Sequence, residues 1–327
     1  MTTIKVAIVG AAGETGMSIV KALLPSTTPK FEITSLTRPA SVNKPINVEL
    51  KNKGVQIVPV SLTGPQDEVV KALAGIDVVI STINPAALNE QIHLADAAKL
   101  AGVKRFIPSN WAPVTPPEGV MLAREQKERI INHVLKIRLG YTIIDVGLWY
   151  QVAVPPVPSG RLDYCAAKAL KPLWALGGDG NVASALTYLD DIGRYVAHII
   201  ADPRTLNKKV FAYNETLTRN QIYDLLERLS GESLERNYVS EEEANKNIEQ
   251  AKKAWQKNPE EINAYFALAM AQYFMSVCIR GDNTPECAQY LGYLDCKDLY
   301  PDFEFYPFEQ YLRDALDGKA KPVLMDY

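Results

Sequence analysis

The amino-terminal half of the chain alternates short apolar runs with amphipathic stretches. The apolar runs are five or six residues long and rich in β-branched residues, which is typical of strands buried on both faces. They predict strands at Ile4–Val9, Glu32–Leu36, Val55–Val60, Asp77–Ser81, Lys104–Pro108 and Tyr141–Val146. The stretches between them predict helices at Met17–Leu24, Gln66–Ala74, Ala87–Leu100 and Leu122–Leu139.

Strand–helix units that repeat with short loops predict a parallel sheet with helices on both faces. This is the doubly wound α/β class, the Rossmann sheet, in which ligands bind outside the carboxyl ends of the strands. We expect residues 1–150 to form this domain, completed by about residues 182–213. Residues 151–327 predict a second, smaller and mostly helical lobe for the substrate, partly interleaved with the first domain.

The regular alternation ends after Val146. Residues 155–160 have the sequence PPVPSG, which excludes a regular element. Thr187–Ile200 predicts the end of a strand followed by a helix, with Asp190 or Asp191 as its cap. Later elements of the same pattern are a strand at 210–213 and helices at 219–230 and about 240–280.

A glycine-rich turn follows the first predicted strand and precedes a helix, with G-x-x-G-x-x-G spacing. In this context Gly10 makes a tight turn, Gly13 leaves room for a diphosphate and Gly16 permits close packing of helix on strand. The amino terminus of the helix offers N–H donors to the phosphates. We therefore predict that a dinucleotide diphosphate binds at Gly10, Ala12, Gly13, Glu14, Thr15 and Gly16.

The residue after the second predicted strand decides between the two nicotinamide cofactors. NAD-binding units carry an acidic residue here for the ribose 2′-hydroxyl, whereas this chain has Arg38. A guanidinium binds a 2′-phosphate through paired hydrogen bonds, so we predict NADPH/NADP+. Ser41 and Lys44 are further candidates for that phosphate. The alternative is that Arg38 is a solvated surface residue.

Residues after the fourth predicted strand are expected at the cofactor, because ligands bind at these strand ends. Thr82, Ile83 and Asn84 would line the adenosine ribose or the nicotinamide. Asn84 precedes a proline and is equally well explained as a turn residue. We also expect Ser109 and Asn110, after the fifth strand, at the cofactor.

Composition excludes several classes of protein. With 47% hydrophobic and 22% charged residues, the chain is an ordinary globular one. A net charge of −3 makes a nucleic-acid surface unexpected. The four cysteines form no C-x-x-C pair, so we expect no metal site. The amino terminus lacks a signal-peptide pattern, and the uncharged stretch Ile262–Ile279 is short for a membrane span. We therefore expect a cytoplasmic protein without membrane contact.

The motifs taken together resemble one family. The glycine turn, Arg38 and the run Arg105-Phe-Ile-Pro-Ser109 are similar to the NmrA-like, or isoflavone-reductase-like, branch of the atypical short-chain dehydrogenases. Further matches in order and spacing are Gly178-Asp-Gly-Asn181, Asp191-Ile192 and Asp202-Pro-Arg-Thr-Leu-Asn207-Lys208. The segment Ser109-Asn-Trp-Ala-Pro-Val is closer to fungal members than to plant members, which carry an acidic residue after the serine.

The resemblance implies an NADPH-dependent reductase with a lysine acid/base on the helix after the fifth strand. The matching residue is Lys127, which we also expect at the cofactor. It recurs at helical spacing with Ile130 and Val134, so it can share their inward face, although the segment Arg124–Arg129 around it is heavily charged. The alternative is a solvated helix lysine.

A second motif competes for the catalytic role. Tyr164-Cys-Ala-Ala-Lys168 matches the Tyr-x-x-x-Lys pair of ordinary short-chain dehydrogenases, but it follows the sixth strand rather than the fifth. We therefore prefer Tyr164 as a substrate contact. The aromatic residues expected to contact substrate are Trp111, Trp149, Tyr150, Tyr164 and Tyr265.

The sequence as a whole predicts an NADPH-dependent reductase. The hydride would pass to a carbonyl, enone or imine of a small substrate, such as an aromatic or secondary metabolite. Two alternatives stay open: a dinucleotide-sensing regulator without turnover, and a non-redox, cyclase-type use of the same pocket. The expected partner is a small molecule, with neither nucleic acid nor membrane, and a homodimer is left open.

Overall fold

The computed structural model describes residues 3–323. The strands in these residues are β1 (Thr3–Val9), β2 (Lys30–Thr37), β3 (Gln56–Pro59), β4 (Val78–Ser81), β5 (Arg105–Ile107), β6 (Thr142–Asp145), β7 (Leu148–Trp149), β8 (Leu176–Gly177), β9 (Ala183–Thr187), β10 (Lys208–Phe211), β11 (Glu215–Thr218), β12 (Tyr238–Val239) and β13 (Tyr293–Asp295). The α-helices are α1 (Glu14–Leu23), α2 (Pro45–Asn52), α3 (Gln66–Ala72), α4 (Glu90–Leu100), α5 (Leu122–Lys136), α6 (Tyr150–Ala153), α7 (Leu189–Ala201), α8 (Arg219–Ser230), α9 (Glu241–Lys257), α10 (Ile262–Phe274), α11 (Pro285–Tyr290), α12 (Cys296–Leu299) and α13 (Phe308–Leu316).

Five strands form a parallel sheet in the order β3-β2-β1-β4-β5. A parallel bridge between Phe106 and Tyr141 places β6 next to β5, and β10 pairs with β6. The predicted doubly wound parallel sheet is therefore confirmed. Because β1 pairs with β2 on one side and β4 on the other, the strand order reverses here, and the crevice at this switch point is where such sheets bind ligands.

The chain divides into two compact units. The first takes in the chain up to Trp111, Gln126–Asp145 and Leu189–Val210, and the second takes in Ala112–Glu125, Val146–Tyr188 and the chain from Phe211 onward. The sequence places the whole segment up to residue 150 in the first domain. The structure differs because the loop before α5 is bound by the second unit.

Residues of the second unit hold this loop through buried polar contacts. The backbone N–H of Val114 donates to Asn283 Oδ1 at 3.1 Å, and the hydroxyls of Thr115 and Ser276 lie 3.0 Å apart. With the loop and the long carboxyl-terminal segment added, the second unit contains more residues than the first, where the sequence predicts a smaller lobe.

In the first unit, α7 packs on α1 at unusually short range. Ser18 Oγ donates to the carbonyl of Leu189 at 2.6 Å and accepts from the N–H of Gly193 at 2.9 Å. A Cβ built at Gly193 would lie 2.8 Å from the backbone nitrogen of Ile19 and closer still to the carbonyl of Ser18. The glycine is therefore what permits the two helices to pack at this distance.

The second unit is mostly helical and contains a small apolar cluster around Phe211 and Tyr293 in addition to a larger core. The core includes Tyr150, whose ring meets Phe308 edge-on with centroids 4.9 Å apart. The helix from Ile262 to Arg280, which ends in a π-helical turn, is the one helix of residues 3–323 that is long and apolar enough to cross a membrane by length and composition alone. Half of its most apolar window is buried within the fold.

Some helices begin at residues other than the predicted ones, because polar residues or glycine at their ends interrupt the hydrophobic pattern. Helix α1 begins at Glu14 rather than Met17 because glycine and polar residues occupy its first turn. The hydrophobic pattern does not predict α2, a short polar helix that begins at Pro45. Asp190 and Asp191 lie inside the first turn of α7, so the prediction that one of them caps the helix is wrong.

We expect Gly193→Ala to lower the free energy of unfolding by about 2–3 kcal/mol, because the methyl group would force α7 away from the backbone of α1. Chemical denaturation measures the change. Gly64→Ala is the matched control, since the nearest atom to its added Cβ is Ser61 O at 3.3 Å, and we expect a change of less than about 1 kcal/mol. Equal effects of the two substitutions would contradict the packing argument.

Candidate functional site

The glycine turn between β1 and α1 has the backbone conformation that its sequence predicts. Gly10 has a φ of +82°, a region that L-residues with side chains rarely occupy. A Cβ at Gly10 would lie 2.7 Å from both the carbonyl oxygen and Oγ1 of Thr82, so the residue that follows β4 also excludes a side chain there.

Gly13 and Gly16 shape the start of α1, where Gly13 is exposed and Gly16 is buried against the turn. Gly13 donates from its N–H to the carbonyl of Gly10 at 2.9 Å and is the amino-terminal cap residue of α1, with no side chain bonded over the helix end. A Cβ at Gly16 would lie 2.8 Å from Ala11 Cα and nearer still to the carbonyl of Gly10. Ala12 is exposed beside Gly13. The turn thus leaves a cradle at the positive end of the helix dipole, which fits a diphosphate.

The first residues of α1 complete this cradle. Glu14 is half-buried and is the acidic residue of the first turn, and Thr15 is buried. Their backbone N–H groups belong to the four at a helix start that have no partner within the helix. The backbone of these residues, rather than their side chains, is therefore suited to an anion.

Thr82 holds the glycine turn closed. Its Oγ1 donates to the carbonyls of Val9 at 2.9 Å and Gly10 at 3.0 Å, which ties the end of β1 to the end of β4. Asn84 Oδ1 accepts from the N–H of Ala87 at 3.1 Å and caps a short helical turn. Of the two interpretations of Asn84, the structure therefore shows the turn residue. Ile83 lies between them, half-buried.

Arg38 and Lys44 are exposed cations at the end of β2. Within residues 3–323 neither side chain forms a hydrogen bond or an ion pair, so both are available to an anion. The backbone between them is ordered, because the N–H of Ser41 donates to the carbonyl of Arg38 at 2.8 Å and Asn47 Nδ2 donates to the carbonyl of Ser41 at 2.6 Å. These contacts fix where the two long side chains start.

The loop after β5 is anchored at each of its three residues. Ser109 Oγ donates to the carbonyl of Ile83 at 3.0 Å, and Trp111 Nε1 donates to the carbonyl of Ser81 at 2.8 Å. Asn110 Nδ2 donates to Asp145 Oδ1 at 3.0 Å. Trp111 has a φ of +23°, which is uncommon for a residue with a bulky side chain. The loop is thus held in a strained form at the carboxyl ends of β4, β5 and β6.

Lys127 faces this loop from α5. Its Nζ donates to the backbone carbonyl of Asn110, and the side chain is half-buried. The alternative of a solvated helix lysine therefore does not describe it. The structure brings Lys127, Asn110 and Ser109 together at the strand ends.

Two residues of this arrangement were not found from the sequence. Gln91 on α4 is buried, and its Oε1 accepts from the N–H of Ser109 at 2.7 Å. Asp145 is fully buried at the end of β6. The only signal for Asp145 is an acidic residue at the carboxyl end of an apolar strand, and Gln91 gives none that separates it from other helix residues.

The aromatic substrate candidates of the second unit are mainly core residues. Tyr150 is fully buried and its hydroxyl donates to the carbonyl of Tyr306 at 3.1 Å, so we correct its assignment from substrate contact to core. Trp149 and Tyr265 are half-buried and pack against the same core. Burial raises the pKa of the Tyr265 hydroxyl. Trp111, in the first unit, is buried with its indole nitrogen already bonded.

Tyr164 and Lys168 do not form a catalytic pair. Tyr164 donates to the carbonyl of Ala315 at 2.9 Å and accepts from the N–H of Ala320 at 3.1 Å, while Lys168 pairs with Asp163 at 3.4 Å. Burial raises the pKa of Tyr164 to about 12, the opposite of what the pair needs. The Tyr164 hydroxyl therefore binds the backbone of residues 315–320.

A family model described as the NmrA-like family matches residues 2–312. The chain belongs to the NmrA-like family. It is 48% identical over 316 residues to an asnovolin J 5′,6′-dehydrogenase of Aspergillus novofumigatus (strain IBT 16806), covering 97% of this chain and 96% of the relative. It is 30% identical to a phenylcoumaran benzylic ether reductase of Betula pendula, covering 94% and 97% of the two chains.

Solved structures share the fold. A binary complex of leucoanthocyanidin reductase and NADPH from Vitis vinifera superposes with a TM-score of 0.76 at 24% identity, covering 96% of this chain and 99% of that one. The predicted resemblance to NmrA-like and isoflavone-reductase-like proteins is confirmed, and the chain is an oxidoreductase of this family.

We expect Tyr164→Phe to lower the free energy of unfolding by about 1–3 kcal/mol, because both hydrogen bonds of the hydroxyl are lost. Turnover per folded molecule should stay within about twofold of the parent, and Lys168→Met should change neither property. Denaturation and steady-state kinetics measure the two. A tenfold fall in kcat in either variant, with unfolding unchanged, would restore the pair to the mechanism.

Proposed function

We propose that the chain is an NADP(H)-dependent reductase of a small, apolar, aromatic or secondary-metabolite substrate, located in the cytoplasm. The observation that carries the proposal is the contact of Lys127 with the carbonyl of Asn110, which holds an amine at the carboxyl ends of the strands. The switch point of a doubly wound sheet lies at those strand ends, where a nicotinamide would reach.

The cofactor is NADP(H), and the residues of the first unit fit it. The backbone of Gly10–Gly16 would hold the diphosphate at the start of α1. Arg38, with Lys44 and Ser41 beside it, would hold the 2′-phosphate, since a guanidinium binds a phosphate in bidentate fashion.

The strand ends would hold the rest of the cofactor. Thr82, Ile83 and Asn84 offer backbone groups, because the hydroxyl of Thr82 and the amide oxygen of Asn84 are bonded within the chain. Ser109 and Asn110 would face the nicotinamide. Asn110 Oδ1 is buried with no partner in residues 3–323, so it is ready to accept a hydrogen bond from a ligand.

When bound, NADPH supplies a hydride to an electrophilic carbon, such as that of a carbonyl, enone or imine. The chain's own contribution is to place groups around that carbon. Lys127 would donate a proton, directly or through water, to the atom on which negative charge develops. In the reverse direction, which the name of the Aspergillus dehydrogenase describes for that protein, the same amine would accept the proton.

We propose the second unit as the substrate lobe. Its half-buried aromatic side chains, Trp149 and Tyr265, suit an apolar ligand, since aromatic rings bury large area and stack on flat molecules. The asnovolin J dehydrogenase is similar to this chain over nearly its whole length, which supports a secondary metabolite as substrate.

We expect Arg38→Ala to raise the dissociation constant for NADPH about 10- to 100-fold and to leave that for NADH within about twofold, because only NADPH carries the 2′-phosphate. Titration of NADPH fluorescence or calorimetry measures both constants. Lys51→Ala, which removes an exposed cation from α2, is the charge-matched control and should change neither. Equal losses for both cofactors would exclude Arg38 as the 2′-phosphate residue.

We expect Lys127→Met to lower kcat about 10²- to 10⁴-fold, while the dissociation constant for NADPH stays within about threefold. The assay follows absorbance at 340 nm with NADPH and a panel of ketones, enones and imines, and with NADP+ and asnovolin J for the reverse direction. Lys136→Met, an exposed lysine on the same helix, is the control. Unchanged kcat in Lys127→Met would remove this lysine from the chemistry.

A further inference from the structure

A buried acidic side chain lies behind the loop that holds Lys127. Asp145 has no exposed surface, and the residues before it in β6, Ile143 and Ile144, are fully buried and apolar. Placing a carboxyl group in such a position costs free energy unless it is hydrogen-bonded. An apolar residue would suit this strand end better for stability alone, so the acidic residue calls for another reason.

Asp145 determines which way the amide of Asn110 points. Nδ2 of Asn110 donates to Asp145 Oδ1 at 3.0 Å, so the NH₂ of the amide faces the carboxyl group. The amide Oδ1 therefore points away, and it is buried with no partner in the described part of the chain. One contact thus fixes the orientation of the whole Asn110 side chain.

The backbone of Asn110 is fixed by the same contact together with its neighbours. Ser109 is tied to the segment after β4 and Trp111 to the last residue of β4, so the side chain of Asn110 is the third anchor of this three-residue loop. The carbonyl at its centre accepts from Lys127 Nζ. A lysine side chain carries about 2 kcal/mol of rotamer entropy, so a fixed acceptor is needed to hold its amine in one place.

We propose that Asp145 is a positioning residue that acts through Asn110 to hold the amine of Lys127 at the strand ends. The proposal rests on the function proposed above for Lys127. In this role Asp145 would touch neither cofactor nor substrate. Its effect is to fix the loop whose carbonyl orients the amine.

Exchange of the two side chains tests the proposal. Asp145→Asn allows both orientations of the Asn110 amide, and we expect kcat to fall about tenfold. Asn110→Asp faces two carboxylates in a buried site, and we expect a larger loss. The double variant D145N/N110D restores an amide–carboxylate pair with the roles reversed, and we expect its kcat to be at least about tenfold above that of Asn110→Asp alone. The dissociation constant for NADPH and the KM for substrate should stay within about threefold in D145N, which separates positioning from binding.

Asp96→Asn is the matched control. Asp96 Oδ1 lies 2.7 Å from Nε2 of His133, which is on the same helix as Lys127. Asp96 does not contact the loop, so we expect kcat of this variant to stay within about twofold of the parent. If D145N matches D96N in kcat, or if the double variant is no more active than Asn110→Asp alone, the proposal is overturned.

A second readout needs no turnover. Acetic anhydride acetylates unprotonated lysine amines. Mass spectrometry gives the rate of acetylation at Lys127 relative to that at exposed Lys51 in the same molecules. We expect the relative rate at Lys127 to rise about threefold or more in D145N and to return in the double variant. An unchanged rate in D145N would refute the proposal even if Asn110→Asp fails to fold. If Lys127→Met keeps full kcat, the proposed chemistry fails, whereas the labelling result still decides whether Asp145 holds the amine.

Discussion

The first unit depends on the close contact between the glycine turn and the start of α1. Because Gly16 has no side chain, the helix reaches the carbonyl of Gly10 without steric overlap, and its amino terminus begins at the carboxyl end of β1. The positive end of the helix dipole and the N–H groups of the first turn are therefore directed at the switch point of the sheet. The other face of α1 meets α7 at Gly193, so two glycine contacts fix this helix from both sides.

Polar side chains around the site are mostly used to hold backbone. Thr82 binds the glycine turn, Ser109 binds the segment after β4, and Trp111 reaches the end of β4 with its indole nitrogen. The groups offered to a ligand are backbone, the exposed cations at the end of β2 and the buried Oδ1 of Asn110, beside the amine of Lys127. Preorganisation of this kind limits the reorganisation that accompanies binding and reaction.

The sequence predicts the fold well because its signals are local. Each parallel strand is a compact β-branched run, and the order of strands and helices leaves few topologies to choose from. The glycine turn and Arg38 are likewise readable from their place after a strand. The predictions that are wrong concern residues whose hydrogen-bond partners are distant in sequence. Tyr150 is an aromatic residue directly after a strand, which is typical of a ligand contact. Its hydroxyl is instead hydrogen-bonded to a residue 156 positions later in the sequence.

Asp145 and the loop before α5 have roles that the sequence does not predict, because their partners are also distant in sequence. Nothing near β6 in the sequence reveals that Asn110 lies beside it, 35 residues earlier. The assignment of Val114 to the second unit depends on Asn283, 169 residues away. Such contacts are set by tertiary structure, which local propensity and motif spacing do not encode.

The first unit is assembled from three separate stretches of chain, and this affects how it folds during synthesis on the ribosome. The bond between Ser18 and Leu189 spans 171 residues, so the apolar face of α1 lacks its partner until well over half of the polypeptide has emerged. Folding that relies on contacts so far apart in sequence is slow and leaves apolar surface transiently uncovered. A nascent chain of this kind is a natural client for chaperones that shield such surface during synthesis.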